Sequence, residues 1–164
     1  MKSDVPNWNN GADSLTQPSA LPHKEGELAP EAIDAAGLVR IREAFAASAR
    51  RADQAGVDAI ELHGAHGYLL HQFVSPLSNH RNDAYGGNFE ARIKFPMEVF
   101  AAVRDAFKGV LGIRLSATDW VEGGWTPEET ADMAVRLKQA GADYVHISSA
   151  GVSPLQKITL GPGY

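Results

Sequence analysis

A nine-residue stretch that occurs twice constrains the fold of this chain more than any other feature. Gln54-Ala55-Gly56-Val57-Asp58-Ala59-Ile60-Glu61-Leu62 returns as Gln139-Ala140-Gly141-Ala142-Asp143-Tyr144-Val145-His146-Ile147. The copies start at positions 54 and 139, 85 residues apart. Each reads as a helix end, a glycine stop and the opening of a strand. One strand-helix pair fits between them, so a unit takes about 42 residues. Eight units would take about 340, within the range of (β/α)8 barrels. A chain of 164 residues has room for about four. The repeat therefore predicts an α/β fold with a parallel sheet, and its spacing fits a partial (β/α)8 TIM barrel. A small open α/β sheet with a recurring turn satisfies the same repeat.

The flanking sequence fills in the units. Leu38, Ile41, Phe45, Ser48, Ala49 and Ala52 recur at helical spacing, with Arg42, Glu43, Arg50 and Asp53 opposite. Strands are expected at Asp58–His63, Val110–Ser116 and Tyr144–Ser148. A helix is expected from Phe89 to Phe107, capped by Asn88. Another opens at Thr126-Pro127-Glu128-Glu129, with a cap, a proline at the first helical position and acidic residues in the first turn. A long loop is expected from His63 to Gly87. Residues 1–37 are expected to form an extended loop segment, because Pro6, Gly11, Pro18, Pro22, Gly26 and Pro30 punctuate it without apolar periodicity. Residues 38–164 would carry the barrel portion.

Charge and cysteine content exclude several functions. Net charge is -5, and Arg50-Arg51 is the one adjacent basic pair, so the chain lacks a nucleic-acid footprint. With no cysteine there is neither a disulfide frame nor a thiolate nucleophile. The opening Met1 to Asn7 is polar and lacks the apolar core of a secretion signal. No apolar run approaches the roughly 18 residues of a membrane span. The expectation is a cytoplasmic protein without nucleic-acid or membrane partners.

Alternation along the strands separates two faces. Ile60 and Leu62, Ile113 and Leu115, and Val145 and Ile147 would lie under the helices. Glu61 and His63, Arg114 and Ser116, and His146 and Ser148 would face the barrel interior. Buried polar groups need partners, and Glu61 with Arg114 is the expected pair. Barrel enzymes build their chemistry at the C-terminal ends of strands. His63-Gly64-Ala65-His66-Gly67-Tyr68 begins at such an end, and its glycines allow a sharp turn. Two imidazoles can donate to one carbonyl oxygen, and a phenol can deliver a proton beside it. Two other readings use the same residues. His63, His66 and His71 could ligate a metal, although the spacing is not that of a two-histidine helical site and no adjacent carboxylate completes it. The histidines could also be satisfied within a loop.

Three segments together carry a specific resemblance: Glu61 to Phe73, Ser75 to Gly87, and Ile113 to Asp119. They resemble the Old Yellow Enzyme family of flavin-dependent ene-reductases, in the two-histidine form of the bacterial xenobiotic reductases. The resemblance runs from about Gln17 to the C-terminus and implies strands four to six of the family's barrel. It implies FMN as cofactor, NAD(P)H as reductant and an α,β-unsaturated carbonyl compound as substrate. It further implies that His63 and His66, with Gly64 and Ala65 in the same turn, bind the substrate. Tyr68 would donate the proton, and Arg114 would contact the flavin ring. Arg81, Asp83 and Tyr85 look like a structural set. The chain departs from the family at Asn88, usually Ser, and at Ala91, often Asn. The family's first three strands and its last two, which hold the flavin phosphate, have no counterpart in the sequence. A partial barrel would leave strand edges open, and the alternative expectation is an inactive fragment that self-associates through them.

Overall fold

The computed structural model describes residues 16–22, 26 and 28–158. Two short strands, β1 (Thr16–Gln17) and β2 (Glu31–Ala32), pair in parallel. They amend the loop expected over residues 1–37, of which residues 1–15 lie outside the described residues. The boundary after residue 37 also moves, because helix α1 spans Ala35–Gln54. Asp34 caps it, accepting the Gly37 N–H at 2.6 Å. Ala35 and Ala36 are exposed, so the first turn has no apolar residue to mark it.

Both copies of the repeat close in the same way. After α1, the N–H groups of Ala55, Gly56 and Val57 donate to Arg51, Asp53 and Ala52. After α4 (Pro127–Gln139), those of Ala140, Gly141 and Ala142 donate to Arg136, Lys138 and Leu137. This is a Schellman closure, and it needs positive φ at the glycine: +74° at Gly56 and +93° at Gly141.

Strands β3 (Ala59–Gly64), β4 (Val110–Ser116) and β5 (Tyr144–Ser148) form one parallel sheet in the order β3-β4-β5. Helix α3 (Phe89–Ala106) runs from β3 toward β4, with Asn88 capping Ala91 N–H at 3.0 Å. Thr126 caps α4 in a reciprocal capping box with Glu129. Helix α2 (Leu69–Val74) lies within the stretch expected to be loop. Its six residues are too few for periodicity to reveal, yet Leu70, Phe73 and Val74 are core residues.

The core lies between the sheet and these helices. Phe95, Val99, Phe100, Phe107, Leu111, Ile113, Met133 and Leu137 are fully buried there. Each large apolar side chain so buried stabilises the fold by about 1.5–3 kcal/mol. Arg92 lies nearly buried at the helix ends, donating to the carbonyls of Val74 and Gly87 and pairing with Glu129. Arg81 holds Asp83 with both arms of its guanidinium and donates to the carbonyls of Pro18 and Ile33. That binds the β1–β2 segment to the loop after α2. The Arg81 pairing holds the Asp83 carboxyl below the usual range. Asp83 also accepts the Tyr85 N–H at 3.0 Å, so Arg81, Asp83 and Tyr85 do form a structural set.

The other face of the sheet carries Glu61, His63, Arg114, Tyr144 and His146, and most of it is open. Ile147, on the helix side of β5, is 55% exposed. Among the described residues no helix is long and apolar enough to cross a membrane.

Candidate functional site

β3 delivers His63 to the open face one residue before its end. The register sets His63 beside Arg114 on β4 and Arg114 beside His146 on β5. Gly64 lies against β4, where a Cβ would come within 2.9 Å of the Arg114 carbonyl oxygen. Ala65 is fully buried, so its methyl belongs to the core and not to the open face. The backbone then doubles back. His66 adopts φ of 57°, a left-handed conformation costing a non-glycine residue about 1 kcal/mol or more. Gly67 follows at φ of 76°.

Several contacts hold this turn. The His66 N–H donates to Ser116 Oγ at 3.0 Å, and that hydroxyl donates to the Ala150 carbonyl at 2.8 Å. One buried serine at the end of β4 thus joins the loops after β3 and β5. Gly67 and Gly151 touch through their backbones; a Cβ on Gly67 would lie 2.9 Å from the Gly151 carbonyl carbon. Gly67 N–H donates to His71 Nδ1 at 2.9 Å, and Gln72 Nε2 donates to the Gly67 carbonyl at 2.8 Å.

Three rings therefore gather at one strand end. The His63 ring lies 5.2 Å from that of His66 and 5.0 Å from that of Tyr68. Tyr68 stands at the N-cap of α2 and is 63% exposed, its side chain making no cap hydrogen bond. His66 Nε2 lies 2.6 Å from Ser148 Oγ. Burial lowers the pKa of His66, and the Arg114 guanidinium and His63 lower it further, which favours the neutral ring. His71 does not join the cluster. It is fully buried, with both ring nitrogens engaged by Gly67 and Asp119.

Arg114 sits at the centre of the sheet beside these rings. Its Nη2 is 3.5 Å from Ser148 Oγ, and its buried Nε has no hydrogen-bond partner among the described residues. A desolvated donor left unpaired costs about 1–3 kcal/mol, so the site suits an electron-rich acceptor laid on this face. The expected pair of Glu61 and Arg114 does not form. Glu61 stands opposite Gly112, and its carboxylate takes a hydrogen bond from His146 Nδ1 at 3.2–3.3 Å. Gly112 opens the path across β4, since a Cβ there would meet the Tyr144 ring. Burial and the Glu61 carboxylate raise the pKa of Tyr144.

The sequence pointed to His63, His66, Tyr68 and Arg114, and the fold brings all four to one strand end. It did not single out Ser116 or Asp119. Ser116 shares the alternation of Arg114, which is the signal that could have found it. Asp119 carries no local signal; only the tertiary fold buries it against α2.

A sequence model of the NADH:flavin oxidoreductase / NADH oxidase family matches residues 2–157. An NADPH dehydrogenase of Geobacillus sp. (strain WCH70) is 44% identical over 150 residues, covering 92% of this chain and 44% of the relative. The structure of morphinone reductase superimposes with a TM-score of 0.74 at 31% identity, covering 92% of this chain and 45% of that one. An Old Yellow Enzyme from Pichia sp. AKU4542 superimposes with a TM-score of 0.70 at 27% identity, over 82% of this chain and 40% of its own. The chain spans less than half the length of these relatives, and its sheet and helices are part of a (β/α)8 barrel.

Proposed function

Because the chain belongs to the NADH:flavin oxidoreductase / NADH oxidase family, we propose that it contributes the substrate-activating part of an FMN- and NAD(P)H-dependent ene-reductase. The observation that carries this reading is the gathering of His63, His66 and Tyr68 beside Arg114, whose buried Nε lacks a partner. Arg114 fits FMN, because its orphaned donor suits an electron-rich ring on this face. FMN, when bound, supplies hydride chemistry, with NAD(P)H as the ultimate reductant.

The residues of this chain do the rest. His63 and His66 donate hydrogen bonds to the carbonyl oxygen of an α,β-unsaturated carbonyl compound. That oxygen gains negative charge as its β-carbon accepts hydride, so donors fixed there lower the barrier. The neutral ring of His66 still carries one N–H for that bond. If Ser148 donates to its Nε2, the ring proton resides on Nδ1 and remains available. Tyr68 gives its phenolic proton to the α-carbon. Gly64 and Ala65 shape the turn from below and make no side-chain contact with substrate.

Titration of the protein with FMN, followed by flavin fluorescence, tests the reading; absence of binding would overturn it. In the FMN-loaded protein, Tyr68→Phe should slow the oxidative half-reaction by about 10²–10⁴ and leave flavin reduction by NAD(P)H largely intact. A second reading, self-association through open strand edges, draws on the exposure of Ile147 on β5. Light scattering of the chain in solution tests that one.

A further inference from the structure

Behind the open face lie two fully buried polar side chains that never reach it, His71 and Asp119. A peptide N–H only donates, so His71 Nδ1, 2.9 Å from Gly67 N, carries no proton. The ring proton therefore sits on Nε2, 2.8 Å from Asp119 Oδ1. The other oxygen of Asp119 accepts the Ser75 hydroxyl at 2.6 Å and the Trp125 N–H at 2.7 Å. Asp119 is thus bound on one side by a fixed backbone donor and offers its remaining oxygen to His71. Gln72 holds the Gly67 carbonyl. Both peptide units that join His66 to Tyr68 are consequently tied to α2.

We propose that Asp119 and His71 are positioning residues for the His66–Tyr68 turn. Asp119 selects the Nε2–H tautomer of His71, and that tautomer presents the acceptor that holds the Gly67 N–H. The role rests on the reading of His66 and Tyr68 given above, but the hydrogen-bond relay stands or falls independently of it.

The relay makes an asymmetric prediction. In Asp119→Asn, the amide oxygen must keep the donors of Trp125 and Ser75, which turns its NH2 toward His71. Nε2 then becomes the acceptor, the ring proton moves to Nδ1, and it meets the Gly67 N–H donor to donor. In His71→Asn, Oδ1 takes the place of Nδ1 and accepts from Gly67 with no tautomer to select. The double variant therefore regains what Asp119→Asn alone loses, whereas two merely structural losses would accumulate.

Long-range ¹H–¹⁵N spectra of the histidines and the exchange rate of the Gly67 amide read this directly. The unsubstituted protein should show His71 as the Nε2–H tautomer. Asp119→Asn should convert it to Nδ1–H and speed Gly67 exchange by up to about tenfold, the worth of one hydrogen bond. His71→Asn with Asp119→Asn should restore Gly67 protection and recover the oxidative half-reaction relative to Asp119→Asn. An Nδ1–H tautomer in the unsubstituted protein overturns the proposal, whether or not any variant folds. So does a double variant whose Gly67 exchanges as fast as in Asp119→Asn. Restored Gly67 protection without a recovered half-reaction supports the relay and counts against the role given to Tyr68.

Discussion

Replacing Gly67 by alanine measures how firmly the His66–Tyr68 turn is pressed against the loop after β5. The backbone at Gly67 has φ of 76°, which costs an L-residue about 1–2 kcal/mol. The new methyl would also lie 2.9 Å from the Gly151 carbonyl carbon and 3.2 Å from Val152 Cα, and closer still to the Gly151 oxygen. Carbon atoms prefer about 3.5–4.0 Å, so the Gly151–Val152 backbone must move by roughly half an ångström or more. Forcing an extra methyl into such a contact costs about 1–3 kcal/mol. The two terms together give a loss of about 2–5 kcal/mol. Gly87→Ala isolates the first term, because Gly87 also has positive φ, of 90°, with nothing within 4 Å of a Cβ. Urea denaturation followed by far-UV circular dichroism compares the two at constant m-value. Gly67→Ala should be the less stable by about 1–3 kcal/mol. Equal losses in the two variants would refute the claim that these loops brace one another.

Other perturbations test other parts of the structure. His66 is held below its unfolded value of about 6.5, so the unfolded chain binds more protons between the two values. Its contribution to stability is therefore present above about pH 6.5 and is lost as the pH falls toward the folded value. Arg114→Met removes the second of the causes that depress it, after burial, and an NMR titration should show the His66 pKa rising. Thr126→Ala removes the cap of α4 and should cost about 1 kcal/mol in thermal or chemical unfolding, whereas a value near zero would mean the capping box contributes nothing. Arg81→Lys cannot hold Asp83 and the carbonyls of Pro18 and Ile33 together, so it should cost about 2 kcal/mol and make the β1–β2 segment the first to be cleaved in limited proteolysis.

Local chemistry made most of the fold legible. The glycines at 56 and 141 announce helix ends because few other residues adopt positive φ there. The run Thr126-Pro127-Glu128-Glu129 announces a helix start through its cap and proline. The start of α1 was hidden because Asp34 caps a turn whose next residues are exposed alanines. Helix α2 was hidden by its length. The polar face of the sheet followed from alternation, yet the partner of Glu61 did not. Alternation says which face a side chain occupies, and only the strand register says what stands beside it. Register placed Gly112 opposite Glu61, with the Tyr144 ring across that glycine, and Glu61 takes its hydrogen bond from His146 and not from Arg114. His71 shows the same limit in the site. By sequence it is a third histidine near two others; α2 turns it inward, where it serves the backbone of the turn.

The matched closures after α1 and α4 have a consequence for how such chains can be rearranged. Each consists of three backbone hydrogen bonds and one glycine, with no side chain forming the turn itself. A chain cut at Gly56 and rejoined at Gly141, or the reverse, would meet the same bonds in the same geometry on either side of the splice. Gly56 and Gly141 are therefore natural crossover points, at which strand-helix units of this barrel can be exchanged, duplicated or deleted by recombination without redesigning the turn that joins them.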